Sequence, residues 1–291
     1  MIDLPSIARN LQWNAEGFWV CPSPSGDISY PAHGNQTCFA VEDGSFWFAH
    51  RNACILQVMK ALPPRCPLFD IGGGNGFVAK ALQDAGIEVV LVEPGPDGVR
   101  NAQLRGVRQV VRGTLEAADF LPGSIPSAGL FDVLEHVEDD RGFLKVIYSR
   151  LEPEGRLYLT VPAIQWLWSN EDVHAGHCRR YAAGSLRALL ETTGFTVEFA
   201  TSFFNFLSLP VLFFRTLPSR LGIGAPGAHV RRQHGMAIPM INRPLSWLTK
   251  RELARIRAFR QTRGGSSWLI VAKKPTPKQA AGSLASDGKI S

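Results

Sequence analysis

One short segment, residues 70–76, has the residue types and spacing of a ligand-binding turn. An apolar stretch ends in the carboxylate of Asp70, and Gly72, Gly74 and Gly76 then occupy alternate positions before a helical pattern begins. Glycine has no Cβ atom and adopts turn conformations that other residues avoid, so the backbone can approach a ligand closely. The following helix would direct free N–H groups and the positive end of its dipole at the turn. We therefore expect this segment to hold a ligand.

Two other glycine-rich motifs were considered for this turn. A P-loop requires Gly-Lys-Ser/Thr at its end, and residues 75–77, Asn-Gly-Phe, exclude it. The dinucleotide fingerprint G-x-G-x-x-A is satisfied by Gly74, Gly76 and Ala79. The predicted strand, however, ends at Asp70, well before Gly74. An acid directly after the strand favours a ligand that carries a positive charge there.

A second predicted strand also ends in an acid. Residues 87–92 form an apolar run broken only by Glu88, as expected for a parallel strand that is covered on both faces. The run ends at Glu93, 17 residues after Gly76. A carboxylate in this position can accept hydrogen bonds from both ribose hydroxyls of a nucleoside. Dehydrogenases use an acid in the same way, so Glu93 alone does not separate the two classes of enzyme.

A later segment does separate them. Residues 129–139 read GLFDVLEHVED and resemble the fourth strand and loop of class I S-adenosylmethionine-dependent methyltransferases. The pattern D-x-G-x-G-x-G at residues 70–76 resembles the first motif of the same family. The resemblance covers roughly residues 45–200 and the last strand. It implies a doubly wound α/β fold of the Rossmann-like kind, with a mostly parallel seven-stranded sheet whose last strand is antiparallel.

The resemblance also implies a cofactor, S-adenosyl-L-methionine, and roles for individual residues. Glu93 would bind the ribose, the residues after Gly113 would border the adenine ring, and Arg51 would pair with the methionine carboxylate, since a guanidinium fits a carboxylate with two hydrogen bonds. The implied cofactor-binding residues are Asp70, Gly72, Gly74, Asn75, Gly76, Glu93, Pro94, Thr114, Leu115, Phe131 and Arg51.

Candidate catalytic groups follow the predicted fourth and fifth strands. The sulfonium of the cofactor is already activated, so the protein supplies positioning, and a general base helps when the acceptor is a hydroxyl. After the fifth strand, residues 166–181 contain two Trp, two His, two Arg and a Tyr. We predict that His177, narrowly preferred over His174, accepts the proton or holds the acceptor, and His136 is the third candidate.

A group of polar residues after the fourth strand raises the question of a metal. Asp132, Glu135 and His136 resemble the divalent-ion site of O-methyltransferases that act on quinone precursors. Many relatives carry the same residues without a known metal, and Glu135 could equally be structural. We predict no metal ligands in this chain.

Composition agrees with a folded enzyme in a reducing compartment. A hydrophobic content of 45% is sufficient for a packed core. The five cysteines are an odd number and include no C-x-x-C pair, which favours free thiols and a cytoplasmic protein. The chain is predicted to comprise an N-terminal cap (1–62), a methyltransferase domain (63–202 and 265–274), a helical insertion (203–264) and a disordered tail (275–291).

The insertion has an unusual charge. Residues 203–263 contain 11 Arg and Lys and one acid, Glu252, whereas the net charge of the chain is +6, so the other residues sum to −4. Its apolar run, residues 203–214, is too short to span a bilayer, which requires about 20 residues. The combination favours peripheral contact with an anionic membrane, on its inner face, although two ordinary helices packed on the sheet would explain it equally well.

These patterns predict methyl transfer from S-adenosylmethionine to a small-molecule acceptor, glycan-like or lipid-linked acceptors included, at oxygen rather than nitrogen. Nucleic acid is disfavoured because base-modifying enzymes tend to carry N/D-P-P-Y/F after the fourth strand, where residues 131–134 read FDVL. Two alternatives are a nicotinamide-dependent oxidoreductase and a non-catalytic subunit that binds S-adenosylmethionine.

Overall fold

A single twisted sheet organises the chain. The computed structural model describes residues 2–23, 34–222 and 242–276. Within these residues, nine strands pair in the order β1-β2-β5-β4-β3-β6-β7-β9-β8. Their bounds are β1 Gln12–Trp13, β2 Trp19–Val20, β3 Leu68–Ile71, β4 Val89–Glu93, β5 Gln109–Arg112, β6 Ile125–Phe131, β7 Leu151–Pro162, β8 Thr196–Phe203 and β9 Ser267–Lys273.

The strand directions confirm the predicted fold class. Strands β5, β4, β3, β6 and β7 are parallel to one another, and β9 runs antiparallel between β7 and β8. The predicted number of seven strands was wrong, because the antiparallel pair β1 and β2 extends the sheet beside β5. These two strands have two residues each, too few to show a periodic pattern, and their Trp13 and Trp19 rings meet edge to face at 5.2 Å.

Both faces of the sheet are covered by helices, as expected for parallel strands with continuous apolar runs. Alternate residues of each strand enter two separate cores, so Phe69 lies on one face and Leu68 on the other. The first core contains Leu144 and Leu186, and the second contains Val58. The helices before the insertion are α1 Gly34–Glu42, α2 Phe46–Ala61, α3 Phe77–Asp84, α4 Pro96–Leu104, α5 Asp140–Arg150, α6 Asn170–His174 and α7 Ala183–Thr193.

The insertion is helical where it is described. It contains α8 Ser208–Val211, a π-helical turn Leu212–Thr216, α9 Leu217–Arg220 and α10 Asn242–Arg257. Within the described ranges, no helix is both long enough and apolar enough to cross a membrane. Of the tail predicted to be disordered, only residues 275 and 276 belong to the described part of the chain, and the remainder lies outside it.

One buried acid joins the insertion to the sheet. Glu252 of α10 accepts hydrogen bonds from the backbone N–H groups of Phe204 and Asn205 at 2.8 and 2.9 Å. Its carboxylate also lies 2.7 Å from Nε2 of His50 on α2, and α10 packs against α2. Burial alone would raise the pKa of Glu252, but the hydrogen bonds from His50, Asn205 and Phe204 hold it below its usual range. The carboxylate therefore stays ionised and fixes the start of the insertion.

Candidate active site

The carboxyl ends of the parallel strands meet at one edge of the sheet, which is where open α/β sheets bind ligands. Asp70 lies in β3, Glu93 ends β4, and Asp132 follows β6 directly. The Asp132 N–H donates to the carbonyl oxygen of Thr160 in β7 at 3.0 Å, and the Thr160 hydroxyl donates to the Asp132 carboxylate at 3.0 Å. Parallel pairing thus brings acids from three separate motifs to one place.

The glycines of the turn after β3 have different structural roles. Gly72 and Gly76 both have positive φ, and an added Cβ would lie 3.0 Å from Val133 in the first case and 2.9 Å from Ala102 in the second. Gly74 also has a positive φ of 52°, but an added Cβ would meet only the side-chain oxygen of Asn35, at 3.6 Å. Two glycines are therefore needed for packing, whereas Gly74 faces the open side of the turn.

Glu93 lies directly against this turn. Its two carboxylate oxygens accept hydrogen bonds from the N–H groups of Gly74 at 2.9 Å and Gly95 at 2.7 Å. Burial raises the pKa of Glu93, and the two N–H groups oppose the rise. Pro94 links Glu93 to Gly95, which precedes α4. A carboxylate that is held by backbone at the rim of the turn can exchange one of these bonds for a ribose hydroxyl.

Asp70 lies in an electrostatically unfavourable position at this edge. It is buried, and neither carboxylate oxygen accepts a hydrogen bond of normal geometry within the described residues. Burial raises its pKa to about 7, Arg51 opposes this rise, and the charge of Glu93 adds to it. An ionised Asp70 would gain strongly from a cation bound beside it.

Arg51 of α2 supplies the positive charge at this edge. It is buried, pairs with the Asp132 carboxylate, and lies over the rings of Trp47 and Phe48 with its guanidinium carbon 5.1 and 5.2 Å from their centroids. Its Nε has no hydrogen-bond partner among the described residues. Asp132 itself has a φ of 59°, a region that non-glycine residues rarely adopt and that is found at functional sites. The guanidinium is thus oriented, with one donor still unused.

Three other predicted cofactor residues have side chains that bond or pack within the protein. The Asn75 side chain donates to the carbonyl oxygen of Asn35 at 2.8 Å and accepts from Asn101 at 2.9 Å, so it joins α1 to α4. Leu115 is buried in the first core. The Thr114 hydroxyl accepts from the Ala117 N–H at 3.0 Å. At Asn75, Thr114 and Leu115, a contact with a cofactor would therefore have to use mainly the backbone.

Phe131, the last residue of β6, is 7% exposed. Its ring covers the backbone of Gly129, where an added Cβ would come within 2.4 Å of the ring. The ring thus folds back over β6 and belongs to the second core, although the residue itself directly precedes Asp132.

A second polar cluster continues from Asp132. Glu135, His136 and His177 lie close enough for their carboxylate and ring-nitrogen atoms to be within 4.8 Å of one another. The two imidazole rings meet edge to face at 4.8 Å. Burial, and next the charge of Asp132, raise the pKa of Glu135 well above its usual range. His174, in contrast, is exposed at the end of α6 and outside this cluster.

The position of His177 is set by a residue to which the sequence analysis gave no role. Nδ1 of His177 lies 3.1 Å from the carboxylate of Asp172, which is fully buried. The same carboxylate binds Arg180 at 2.7 Å and Arg215 of the insertion at 3.0 Å. Burial alone would raise the pKa of Asp172, but the His177 hydrogen bond and both arginines hold it far below its usual range.. Asp172 is the second acid of the pair at residues 171–172, two residues before His174. Its role depends on long-range contacts, which the sequence does not show.

The loop that carries these groups, residues 164–180, is closed at its two ends. Ala163 and Tyr181 form a parallel bridge, and the Tyr181 N–H donates to the carbonyl oxygen of Pro162 at 2.9 Å. The indole N–H of Trp268 in β9 donates to the Tyr181 carbonyl oxygen at 3.1 Å. Loop 164–180 therefore starts and ends at one point of the sheet edge.

The raised pKa of Asp70 makes a prediction about stability. The ordinary pKa of 3.8 applies in the unfolded chain, and about 7 applies in the folded chain. Between these values the unfolded chain has lost a proton that the folded chain retains, so stability falls as pH rises through this window. The full loss corresponds to roughly 4 kcal/mol. The wild type should therefore lose about 3 kcal/mol of stability between pH 5 and pH 8, and Asp70→Asn should lack this loss.

Urea unfolding of the wild type, Asp70→Asn and the exposed-site control Glu116→Gln, at pH 5 and pH 8, measures this effect. The control should follow the wild type at both pH values. If Asp70→Asn loses as much stability as the wild type between pH 5 and pH 8, the carboxyl group of Asp70 is not the cause.

A family model described as a methyltransferase domain matches residues 48–199, more than half of the chain. A Mycolicibacterium smegmatis protein named as a probable S-adenosylmethionine-dependent methyltransferase is 26% identical over 174 residues, 58% of this chain and 66% of that protein. The mitochondrial ubiquinone biosynthesis O-methyltransferase of Schizosaccharomyces pombe is 30% identical over 101 residues, 32% of this chain and 36% of that enzyme.

The matched segments thus span less than two thirds of either relative's own length. Among solved structures, an S-adenosylmethionine-dependent methyltransferase from Thermotoga maritima superposes with a TM-score of 0.52 at 18% identity. The superposition covers 83% of this chain and 99% of that one, and it shows a common fold. Given the family model that spans the glycine turn, the edge acids and the loop of His177, the chain belongs to the class I S-adenosylmethionine-dependent methyltransferases.

Proposed function

We propose that the protein transfers the methyl group of S-adenosylmethionine to an oxygen of a small-molecule acceptor. The observation that carries this proposal is the pair of His177 and buried Asp172, at the same sheet edge as the glycine turn. A carboxylate that holds one nitrogen of an imidazole leaves the other free to accept a proton. A hydroxyl acceptor needs such a base more than a neutral amine acceptor does.

The cofactor would lie across the turn, and each of its parts meets a group of suitable chemistry. The ribose hydroxyls would bind the Glu93 carboxylate, and the methionine carboxylate would bind the unused Nε donor of Arg51. The sulfonium would lie near Asp70, whose ionised form it would favour. These roles follow the family resemblance and fit the charges of the edge.

The reaction would then need one proton acceptor. Nε2 of His177 would take the proton of the acceptor hydroxyl, whose oxygen would receive the methyl group. Bound S-adenosylmethionine would supply the activated methyl group and would leave as S-adenosylhomocysteine, which keeps the electron pair of the broken bond between carbon and sulfur. Asp172 keeps its charge throughout and stabilises the imidazolium that forms.

The nature of the acceptor has weaker support. The Schizosaccharomyces pombe relative is named as an O-methyltransferase, which agrees with a base beside the acceptor. We extend the proposal to small polar molecules, glycan-like and lipid-linked ones included, because loop 164–180 offers Trp168, His177 and Arg179 together. In this proposal, the cluster of Glu135, His136 and His177 transfers protons and holds no metal.

The assigned cofactor position can be tested with two glycine substitutions of equal backbone cost. Gly74 and Gly86 both have positive φ with room for a Cβ, since nothing lies within 4 Å of a Cβ at Gly86. Each Ala substitution should lower stability by about 1 kcal/mol. Only Gly74→Ala should weaken the binding of S-adenosylhomocysteine, by about tenfold or more in the dissociation constant measured by calorimetry. The reason is that the methyl group of the introduced alanine enters the space of the cofactor.

The outcome that contradicts this position is equal affinity of Gly74→Ala and Gly86→Ala for S-adenosylhomocysteine. Binding of a nicotinamide dinucleotide in place of S-adenosylhomocysteine would instead favour an oxidoreductase.

The role of His177 can be tested with labelled S-adenosylmethionine. We expect the methyl label to be transferred to phenolic or sugar hydroxyls, both in a panel of candidate acceptors and in small-molecule extracts. Transfer to histamine or phosphoethanolamine should be lower. His177→Gln should lower kcat by about 100-fold or more, with unchanged affinity for S-adenosylhomocysteine, because the base contributes only to the chemical step.

His174→Gln is the matched control, since His174 is exposed in the same loop, and it should retain wild-type kcat. Added imidazole should restore part of the His177→Gln rate, and EDTA should leave the wild-type rate unchanged. Equal kcat for both variants would eliminate His177 as the base. Cofactor binding without labelled product from any acceptor would favour a non-catalytic subunit.

A further inference from the structure

We infer that residues 208–221 form a docking surface for an anionic lipid bilayer. This segment, the surface helix, consists of α8, the π-helical turn, α9 and Leu221. Its large apolar side chains are exposed to an unusual degree: Leu209 is 62% exposed, Phe213 57%, Phe214 77%, Leu217 37% and Leu221 71%.

Such exposure requires an explanation. Five large apolar side chains in one short helical segment form a continuous apolar face, and faces of this kind mark interaction sites in soluble proteins. The opposite side of the surface helix is anchored, since the buried hydroxyl of Thr216 donates to the carbonyl oxygen of Leu167 at 3.1 Å. The surface helix therefore cannot turn its apolar face inward without losing these contacts.

The net positive charge of the insertion, to which the surface helix contributes Arg220, favours an anionic occupant. The one acid of residues 203–263, Glu252, is buried and bound to His50, so it does not neutralise the surface. Six exposed cations of the insertion have no carboxylate partner within the described residues, namely Arg220, Lys250, Arg251, Arg257, Arg260 and Arg263. Each cation near an anionic bilayer contributes about 1 kcal/mol of attraction.

The combination of apolar and cationic groups favours lipid over other partners. Interfacial helices insert aromatic and aliphatic side chains among the acyl chains while Arg and Lys meet the headgroups. A nucleic acid would use the cations but would gain nothing from Leu209, Leu217 or Leu221. A short helix that lies in the plane of the interface also agrees with the finding that no described helix can cross a bilayer.

The surface helix is bonded directly to the loop that carries His177. Nε of Arg215 donates to the Ser169 hydroxyl at 2.8 Å, and another of its nitrogens donates to Asp172 at 3.0 Å. The Asn170 N–H donates to the Ser219 hydroxyl at 2.9 Å, and Arg220 donates to the Trp166 carbonyl oxygen at 2.9 Å. Docking would thus hold loop 164–180 beside the lipid headgroups.

This arrangement identifies a class of acceptor, and that consequence rests on the proposed methyl transfer. An acceptor with a polar head and an apolar anchor in the bilayer could present its hydroxyl to His177 without leaving the lipid. Trp166, 49% exposed, would lie at the interface, where tryptophan side chains are favoured.

Flotation on vesicles tests the docking surface. The probe is phosphatidylcholine vesicles with about 30% phosphatidylglycerol, compared with phosphatidylcholine alone, at low and high salt. The full chain should float with the anionic vesicles at low salt and remain at the bottom with neutral ones. Phe213→Ser combined with Phe214→Ser should lower the bound fraction about tenfold or more, because two interfacial aromatic side chains are lost.

Leu104→Ser is the matched control, since Leu104 is 71% exposed but lies on α4, and it should float like the wild type. The inference is overturned if the wild type stays at the bottom with anionic vesicles, or if the double variant floats equally well. A dimer that dissociates in the double variant would assign the face to a second copy of the chain instead. Binding of single-stranded RNA that requires both phenylalanines, without flotation, would assign it to nucleic acid.

Affinity for S-adenosylhomocysteine, measured on the same proteins, separates this inference from the proposed function. The double variant should bind S-adenosylhomocysteine like the wild type. Failure to float with intact cofactor binding would reject only the docking surface, whereas flotation without cofactor binding would reject only the proposed function.

Discussion

The crowding of buried acids at one edge of the sheet is the constraint to which the rest of the structure responds. Parallel strands deliver the groups at their carboxyl ends to the same place, and in this chain those groups are carboxylates. Like charges in a buried site raise each other's pKa and lower stability. The arginines that oppose this effect come from outside the strands. The acids are Asp70, Glu93, Asp132 and Glu135, and the cations beside them are Arg51 and Arg180.

This need for outside cations explains why segments around the sheet belong to the site. Helix α2 must pack against the sheet for Arg51 to reach Asp132, and the rings of Trp47 and Phe48 hold the guanidinium in place. Loop 164–180 must close for Arg180 to approach Glu135 and Asp172. The insertion adds Arg215 to the same buried carboxylate. The cap, the loop and the insertion are thus connected through charge to one edge, and each contributes to its stability as well as to its shape.

The parts of this architecture that local pattern determines could be predicted from the sequence. The glycine turn and the acids at the strand ends follow from spacing and hydrophobic runs, and the antiparallel last strand was implied by the family resemblance. The short strands β1 and β2 could not be predicted in this way, because two residues have no period and their pairing depends on distant β5. Asn75 has the expected position, but its side chain is occupied by partners from α1 and α4, which sequence spacing does not reveal.

The same distinction applies to the candidate base. A cluster of His, Arg, Trp and acids after β7 indicated a functional loop, and His177 was only narrowly preferred over His174. The two histidines differ in whether the Asp172 carboxylate contacts them. This contact depends on a turn of α6 and on the charges of Arg180 and Arg215. The residue types of the loop were enough to indicate a functional loop. Only tertiary contacts distinguish the two histidines within it.

The bridge between Ala163 and Tyr181 has a consequence for how such enzymes diversify. Because the two ends of loop 164–180 are fastened side by side, the chain between them can change in length and composition while β7 and β9 keep their register. The loop can therefore be exchanged without moving the strands that border it. New acceptors could arise by such an exchange, provided that a cation in the position of Arg180 still faces Glu135.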